Sequence, residues 1–388
     1  MSQTRTYLDF NATAPLRPEA RAAVVAAMDS PGNASSVHRE GRDARALIEA
    51  ARRQVAALAG VSAAGLVFTS GGTEAANLAL TPSLRIGRDR RDFDVLLIAA
   101  GEHACVLEGH RFASEQVVIV PLEPSGRIDC AALDEALADN HGKRPLLALQ
   151  AANNETGVIQ PVAEAAGKVR AAGGATVCDA VQAFGRIPST GTMLGAELLI
   201  VSAHKLGGPK GVGALAFAAE NDHIRDVLIR GGGQERGQRA GTESVAAIAG
   251  FGAVAEAVVL TLSSEADVTK RLRDQLEKSV LQIAPDAVIF GADVERLPNT
   301  SCFAVPGASA ETLLIALDLD GVAVSSGSAC SSGKVGKSHV LAAMGVDPAL
   351  ASGAIRVSFG WSSCEADVQN FADAFAKAIG RIQRRRAA

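Results

Sequence analysis

The amino-acid sequence predicts an α/β fold with a large, mainly parallel β-sheet and a smaller α/β domain after it. Seven apolar runs in the first two thirds of the chain are nearly continuous, which is typical of strands covered on both faces. Helix-compatible stretches lie between several of them, as in βαβ units. The predicted strands are 66–69, 95–100, 117–122, 146–150, 175–180, 197–203 and 213–218.

The helices expected between these strands are followed by a long apolar helix, after which the pattern changes. These helices are 75–84, 107–115, 130–140, 162–172 and 245–283. Ser362 and Glu365 have the spacing of a capping box before the last helix. The further strands are 287–290, 300–305, 321–325 and 354–360, and the further helices 310–319, 337–345 and 365–384.

The change of pattern near residue 260 predicts two domains. A large domain would comprise residues 16–259. A small domain would comprise residues 1–15 with 260–388, and would carry a mobile loop at about 325–337. The loop is expected to be mobile because it lacks bulky apolar side chains that could anchor it.

Composition excludes several classes of function. The 388 residues are 48% hydrophobic and 21% charged, which fits a globular protein with a large core. A net charge of -4 predicts no broad nucleic-acid surface. The apolar stretch 245–262 is interrupted by glycines and Glu256, and therefore favours a buried helix over a membrane span. No signal peptide is evident at the N-terminus, so a cytoplasmic protein is expected.

The six cysteines predict neither disulfides nor a permanent metal site, because none form a C-x-x-C pair. Five of them lie near apolar runs or helix starts and are expected to be small core residues. These five are Cys105, Cys130, Cys178, Cys302 and Cys364.

A lysine at the end of a predicted strand is a candidate catalytic residue. Lys205 follows the strand 197–203 and enters a Gly-rich turn. Ligands in open α/β sheets bind beyond the carboxyl ends of strands. A partly desolvated lysine there has a lowered pKa and can form a Schiff base with an aldehyde. The alternative for Lys205 is a solvated surface lysine.

Two further strand ends carry groups that suit the same kind of cofactor. Asp179 ends the strand 175–180 and could pair with a cationic ring nitrogen, as pyridoxal phosphate requires. It could also cap the next segment. The stretch 68–77 passes from a strand through Gly71 and Gly72 into a helix. Exposed N–H groups at such a helix start can hold a phosphate, although the glycines could simply form a turn.

Cys330 differs from the other cysteines because it lies among serine, alanine and glycine residues. A thiol in a flexible loop can approach a ligand and withdraw again. The alternative is an unreactive loop cysteine, since the neighbours that stabilise a thiolate must come from elsewhere in the fold.

Many ordered motifs along the chain resemble those of the cysteine desulfurases of the NifS/IscS group, in the class V aminotransferase family. The resemblance implies a fold-type I pyridoxal-phosphate transferase that is active as a homodimer. The motifs that carry it are 7–15, 32–38, 70–74, 102–103, 152–157, 179–182, 202–205, 231–236, 239–243 and the loop around Cys330.

The resemblance implies a role for each cofactor contact. Lys205 would bind pyridoxal phosphate covalently, Asp179 would pair with the ring nitrogen, and His103 would stack on the ring and transfer protons. Gln182 would bond the ring hydroxyl. Thr242 would reach the phosphate of a partner subunit's cofactor. The remaining cofactor contacts would be Gly72, Thr73, Ser202 and His204 for the phosphate, with Asn154 beside the ring.

The resemblance also implies the substrate and the products. Asn154, Arg356 and Asn33 would bind L-cysteine, although Arg356 could instead form a structural salt bridge. Lys205 would remove the α-proton. The Cys330 thiolate would take the sulfur as a persulfide, release L-alanine and pass the sulfur to an iron–sulfur scaffold or another acceptor. Cys330 could then be a transient iron–sulfur ligand.

Two positions depart from the family pattern, and several alternative functions remain open. Phe10 replaces a commoner asparagine, and the stretch 334–337 is more basic than usual. A selenocysteine lyase would share most of these residues, and a class V aminotransferase would not need Cys330. A sulfur carrier would need no cofactor. A nicotinamide oxidoreductase is disfavoured, because no strand–GxGxxG–helix unit occurs.

Overall fold

The computed structural model describes residues 5–87, 91–326 and 337–387. In chain order the strands are β1 (Thr6–Tyr7), β2 (Leu66–Thr69), β3 (Leu84–Arg85), β4 (Val95–Ala99), β5 (Val117–Val120), β6 (Pro145–Gln150), β7 (Ala175–Asp179), β8 (Leu198–Ser202), β9 (Gly213–Phe217), β10 (His223–Ile224), β11 (Val288–Ile289), β12 (Thr300–Ala304), β13 (Val322–Ala323), β14 (Ser325–Ser326) and β15 (Ile355–Ser358).

The helices are numbered in the same way, and short 3₁₀ turns are left unnumbered. They are α1 (Pro18–Met28), α2 (Arg39–Ala59), α3 (Gly72–Ala79), α4 (Ala104–Leu107), α5 (Cys130–Asp139), α6 (Val162–Ala171), α7 (Gly191–Leu194), α8 (Ala203–Leu206), α9 (Val245–Ile283), α10 (Ala310–Leu319), α11 (His339–Ala343), α12 (Pro348–Ala351) and α13 (Glu365–Ala387).

The large sheet confirms the predicted architecture. Seven strands lie in the order β2-β9-β8-β7-β6-β4-β5. The neighbours from β8 to β5 are parallel, and β9 is antiparallel to both β8 and β2. All seven lie within one residue or two of the runs predicted for them. Because parallel strands end at the same edge, the residues that follow β4, β6, β7 and β8 converge there.

Two of the predicted helices differ in the structure. α3 begins at Gly72 and ends at Ala79, and Pro82 soon afterwards disfavours further helix. The expected helix 107–115 is wrong, since α4 ends at Leu107. An added Cβ at Gly109 would lie 2.1 Å from the Cys105 carbonyl oxygen, so the chain passes close to its own backbone there.

The smaller sheet is antiparallel, in the order β11-β12-β15-β14. The single strand expected at 321–325 divides into two. β13 pairs with the N-terminal β1, and β14 pairs with β15. A separate apolar cluster joins Leu8 to Phe303 and Phe371 in this part of the molecule. The domain boundaries at residues 15 and 259 stay a prediction.

The capping box expected at Ser362 is wrong, because α13 begins only at Glu365. The Cys364 backbone N–H donates to Asp367 Oδ2 at 2.9 Å, so the capping carboxylate is supplied two residues later. Cys364 is exposed and is therefore not a core residue, whereas Cys178 and Cys302 are buried as predicted.

Helix α9 continues without interruption across residue 259. Its length and composition would suffice for a membrane span, as is also true of the core helix of many soluble proteins. It packs against α1, α2 and α13 and buries Phe251 and Val254. Leu260 is 80% exposed, so only one face of the predicted buried helix is covered.

Phe10 has a packing role. It is buried beside Tyr7, with the ring centroids 5.5 Å apart. A Cβ added at Gly360 would meet the Phe10 ring at 1.9 Å, so the ring fills the space against that glycine. This contact joins the N-terminal segment to the end of β15.

Candidate active site

A cavity of about 230 Å³ lies at the carboxyl edge of the large sheet. Nine of the predicted site residues line it, together with four that were not predicted. The predicted ones are Gly72, Thr73, His103, Asn154, Asp179, Gln182, Ser202, His204 and Lys205; the others are Cys105, Gln150, Ala152 and Val181.

Lys205 is held in this cavity by the N-terminal segment of the chain. It lies on the short helix α8, which directly follows β8 and ends at Gly207 in the left-handed conformation (φ 93°). Its Nζ donates to the carbonyl oxygen of Asn11 at 2.6 Å and to that of Ala12 at 2.8 Å. The amine is therefore directed by backbone carbonyls nearly two hundred residues away in sequence.

Asp179 and Gln182 follow β7 on the neighbouring side of the cavity. Asp179 Oδ1 accepts the Val181 backbone N–H at 3.0 Å. Burial raises the pKa of Asp179, against the opposing effects of this hydrogen bond and of the nearby His103 and Lys205. Gln182 Nε2 donates to the Asn11 carbonyl at 3.1 Å. Its Oε1 is buried and has no hydrogen-bond partner among the described residues.

The opposite end of the cavity combines a helix start with small side chains. α3 begins at Gly72, where an added Cβ would lie 3.3 Å from Val181 and 3.6 Å from Ser202. Burial and the Lys205 charge lower the pKa of His204 to about 4. His204 is consequently neutral at pH 7, and a neutral imidazole can still donate one N–H to an anion.

A buried acid that was given no role from the sequence lies behind the cavity residues Gln150 and His103. Glu102 Oε1 accepts the Gln150 backbone N–H at 2.7 Å, and its Oε2 has no partner among the described residues. Burial raises the pKa of Glu102 well above its ordinary value of 4.5, and the Asp179 carboxylate raises it further. Burial therefore favours the protonated, neutral form of Glu102 over the carboxylate.

The Glu102→Gln variant tests this protonation. Wild-type protein must take up a proton at Glu102 on folding once the pH exceeds 4.5, so its free energy of unfolding falls as pH rises towards the folded pKa. The glutamine amide of the variant does not titrate, so its free energy of unfolding has no such dependence on pH. We therefore expect the variant to gain stability relative to wild type between about pH 5 and about pH 8.

Denaturant unfolding at both pH values measures this difference. A stability difference that does not change with pH would contradict a raised Glu102 pKa. A constant offset is expected in addition, because the new buried amide N–H₂ also lacks a partner.

His103 is the N-cap of α4, next to this acid. Its Nδ1 accepts the Cys105 backbone N–H at 3.1 Å, which leaves Nε2 as the nitrogen that can carry a proton in the neutral ring. The hydrogen bond holds the ring at the cavity wall. Burial, the largest influence, raises the pKa of the Cys105 thiol.

Three predicted residues do not line the cavity in the single chain. Thr242 is exposed and lines a second cavity of about 150 Å³ beside Ser70. Asn33 is exposed, and its Oδ1 accepts the Ser35 backbone N–H at 2.9 Å. Arg356 is buried on β15 and forms an ion pair with Asp9 at 2.7 Å, the structural alternative left open from the sequence.

Arg356 nevertheless touches the cavity wall. Its Nη1 donates to the Asn154 carbonyl at 3.0 Å, and its Nε has no partner among the described residues. Cys330 and most of the loop 325–337 lie outside the described residues.

Sequence reasoning missed Asn11 as an organising residue. Its carbonyl accepts from Lys205 and Gln182, and its Nδ2 donates to the Asn154 carbonyl at 3.1 Å and to Thr300 Oγ1 at 2.9 Å. Asn11 lies in the opening motif 7–15, but the role of its backbone carbonyl leaves no mark on residue type, and the partners of its side-chain amide are distant in sequence.

The comparisons with known proteins agree with this geometry. A family model described as aminotransferase class-V matches residues 6–371. A cysteine desulfurase of Cereibacter sphaeroides is 39% identical, covering 98% of this chain and 97% of that protein. An IscS-like cysteine desulfurase of Mycobacterium tuberculosis is 38% identical, covering 97% of each.

Solved structures show the same relationship. The crystal structure of a NifS-like protein from Rickettsia africae superposes with a TM-score of 0.87 at 34% identity, covering 97% of this chain and all of that one. A structure titled SspA in complex with cysteine has a TM-score of 0.76 at 26% identity, covering 92% and 99%. This chain therefore belongs to the class V aminotransferase family, among the cysteine desulfurases of the NifS and IscS type.

Proposed function

We propose that this protein is a pyridoxal-phosphate-dependent cysteine desulfurase. It converts L-cysteine and the Cys330 thiol into L-alanine and a persulfide on Cys330. One observation carries the proposal: the Lys205 amine, the Asp179 carboxyl and the His103 ring line one cavity at the carboxyl edge of the sheet. This is where α/β folds bind ligands.

The residues present fit pyridoxal phosphate. Gln182 Oε1, buried and unpartnered among the described residues, is an acceptor suited to a ring hydroxyl. Asp179 is a carboxyl whose pKa is raised by burial, so it gains from a cationic ring nitrogen. The start of α3 at Gly72 offers backbone N–H groups to a phosphate. When bound, the cofactor supplies an aldehyde for attachment to lysine and an electron-accepting ring.

Each of the cavity residues has a separate proposed role. Lys205 Nζ would hold the cofactor and, when free, would take the proton from the substrate α-carbon. The Asp179 carboxylate would keep the ring nitrogen protonated. His103, fixed through Nδ1, would contact the ring and move protons through Nε2. His204, Ser202 and Thr73 would bind the phosphate.

The substrate carboxylate is assigned to Asn154 and Arg356. Asn154 lines the cavity, and Arg356 lies directly behind it, bonded to its carbonyl. Arginine suits a carboxylate because its guanidinium can donate two parallel hydrogen bonds. Asn33 is proposed to contact substrate as well, which requires the exposed segment that carries it to close on the site.

The sulfur step is balanced without an added oxidant. The Cys330 thiolate attacks the substrate sulfur and forms an S–S bond. The carbon–sulfur bond breaks, and its electron pair stays with the substrate β-carbon, which takes up a proton. Sulfur is thereby oxidised and carbon reduced, which yields L-alanine and a persulfide. Thiolate character at Cys330 is required, because the thiol itself is a poor nucleophile.

The persulfide is proposed to pass to an iron–sulfur scaffold or another acceptor protein, with Cys330 as a transient ligand during transfer. A homodimer is proposed in which Thr242 of each subunit reaches the phosphate site of the other. Thr242 is exposed in the single chain, so such a contact is sterically accessible. A cytoplasmic location also stays a proposal.

Intact-protein mass spectrometry after incubation with L-cysteine tests the function. We expect one added sulfur, located by peptide mapping on Cys330, together with one L-alanine per sulfur. The Cys330→Ala variant should gain none. Cys364→Ala is the matched control, since it removes an exposed thiol that does not line the cavity. It should gain sulfur on Cys330 as wild type does.

Other outcomes would identify the alternative functions. Sulfur on other cysteines but not on Cys330 would disprove the persulfide step. Transfer of the amino group to a 2-oxo acid without sulfur release would indicate an aminotransferase, and a strong preference for selenocysteine would indicate a lyase for that substrate.

A further inference from the structure

The segment that carries Cys330 is followed at once by two residues that bond to the wall of the cavity. Ser338 Oγ donates to Glu155 Oε2 at 2.5 Å and accepts the Leu341 backbone N–H at 3.0 Å. The His339 ring donates through Nε2 to the Glu102 carbonyl at 2.8 Å. These contacts hold the start of α11 against Glu155 and Glu102, which lie in loops that follow strands of the large sheet.

Both acceptors lie next to cavity residues in the sequence. Glu155 follows Asn154, and Glu102 precedes His103. Both glutamates and Ser338 are buried, whereas His339 is exposed, so the Ser338–Glu155 contact is the better shielded of the two. The start of α11 is therefore tied to the two loops that present the proposed substrate and ring contacts.

The other end of the segment is fixed independently. β14 pairs with β15, where Ser325 lies opposite Arg356. Cys330 is four residues after Ser326 and eight residues before Ser338, so the chain on either side of it joins an element that the structure describes.

We propose that Ser338 and His339 are positioning residues for sulfur transfer, which hold the second end of the Cys330 segment against Glu155 and Glu102. The proposal rests on the function proposed above. The two residues touch neither substrate nor cofactor; they raise the effective concentration of the Cys330 thiol at the substrate sulfur. Their loss slows that step alone.

The Ser338–Glu155 contact differs from an ordinary helix cap. Ser309 caps α10 in the same way, accepting the Thr312 backbone N–H at 3.1 Å, but it is exposed. Ser338 is buried and also satisfies a buried carboxyl. Burial raises the pKa of Glu155, and the Ser338 hydrogen bond, the first of several opposing influences, works against that rise.

Two reactions of the holoenzyme separate this role from the rest of the site. Exchange of the L-alanine α-hydrogen with deuterated solvent needs Lys205 and the bound cofactor but no thiol. Addition of sulfur to Cys330, followed by mass spectrometry after rapid quenching, needs the thiol as well. We expect Ser338→Ala and His339→Ala to keep the exchange rate within about two-fold and to slow sulfur addition roughly ten-fold.

Matched variants control for stability and chemistry. Ser309→Ala removes a cap of the same kind at an exposed helix start and should leave both reactions unchanged. His339→Gln keeps an N–H donor at similar reach and should restore most of the sulfur addition. Ser338→Thr keeps the hydroxyl and should do the same.

Three results would overturn the proposal. Sulfur addition at the wild-type rate in both alanine variants would show that the anchors are dispensable. Equal losses in exchange and sulfur addition would show a general disturbance of the site. A wild-type holoenzyme that exchanges the α-hydrogen but never gains sulfur would refute the proposed function, and the positioning role with it.

Discussion

Replacing Lys205 by alanine is expected to lower sulfur release from L-cysteine by at least about 1,000-fold, because the variant loses both the attachment point and the base. The structure directs this amine into the cavity through the Asn11 and Ala12 carbonyls. After alanine substitution no other lysine lines the cavity among the described residues. Added amines should restore part of the proton transfer, since only a small basic group is missing.

The measurement combines steady-state sulfide and alanine assays with borohydride reduction and peptide mapping. Wild-type protein should carry the reduced cofactor on the Lys205 peptide, and the variant should carry none. Lys210→Ala is the matched control, because Lys210 is an exposed lysine in the same Gly-rich stretch and does not line the cavity. Normal turnover by Lys205→Ala would refute the assignment.

Replacing Asp179 by asparagine is expected to reduce kcat/KM by roughly 100-fold or more, because the neutral amide cannot hold a ring nitrogen in its protonated form. Asparagine keeps the shape of the side chain and can still accept the Val181 N–H that now bonds Asp179 Oδ1. Folding should be little affected. Burial raises the pKa of Asp179, while the Val181 hydrogen bond and the nearby His103 and Lys205 oppose that rise.

Cofactor absorbance, kcat and KM should be measured together for this variant. The expected loss falls mainly on kcat, since the charge acts on the developing carbanion rather than on substrate binding. Asp347→Asn is the control, because Asp347 caps α12 on the surface and asparagine caps equally well. A kcat within about five-fold of wild type would argue against the ring-nitrogen role.

Local patterns predicted most of the large sheet. Strands such as β6 and β8 are buried along their whole length, so they are continuous apolar runs bounded by polar strand ends. Because parallel strands end at one edge, Asp179 and Lys205 could be expected to meet there. The predicted helix 107–115 is wrong: α4 ends at Leu107, and the backbone at Gly109 lies too close to the Cys105 carbonyl for a side chain, a contact that composition does not reveal.

The placement of other site residues depends on contacts distant in sequence. Arg356 has the residue type of a carboxylate ligand, but in the folded chain it pairs with Asp9 and the Asn154 carbonyl. Thr242 and Asn33 lie outside the main cavity of the single chain, and their proposed roles require a partner subunit or a movement. The sequence does not predict that Glu102 is buried, and it is this burial that raises its pKa.

The family, the strand-end residues Lys205 and Asp179 and the seven-stranded sheet could be predicted before folding was considered, because each depends on residue type and short-range order. The bonds from Lys205 to the Asn11 and Ala12 carbonyls, and from Ser338 and His339 to Glu155 and Glu102, are visible only in the folded chain. Folding brings these backbone carbonyls and buried partners together from distant parts of the chain, and local composition does not encode which of them will meet.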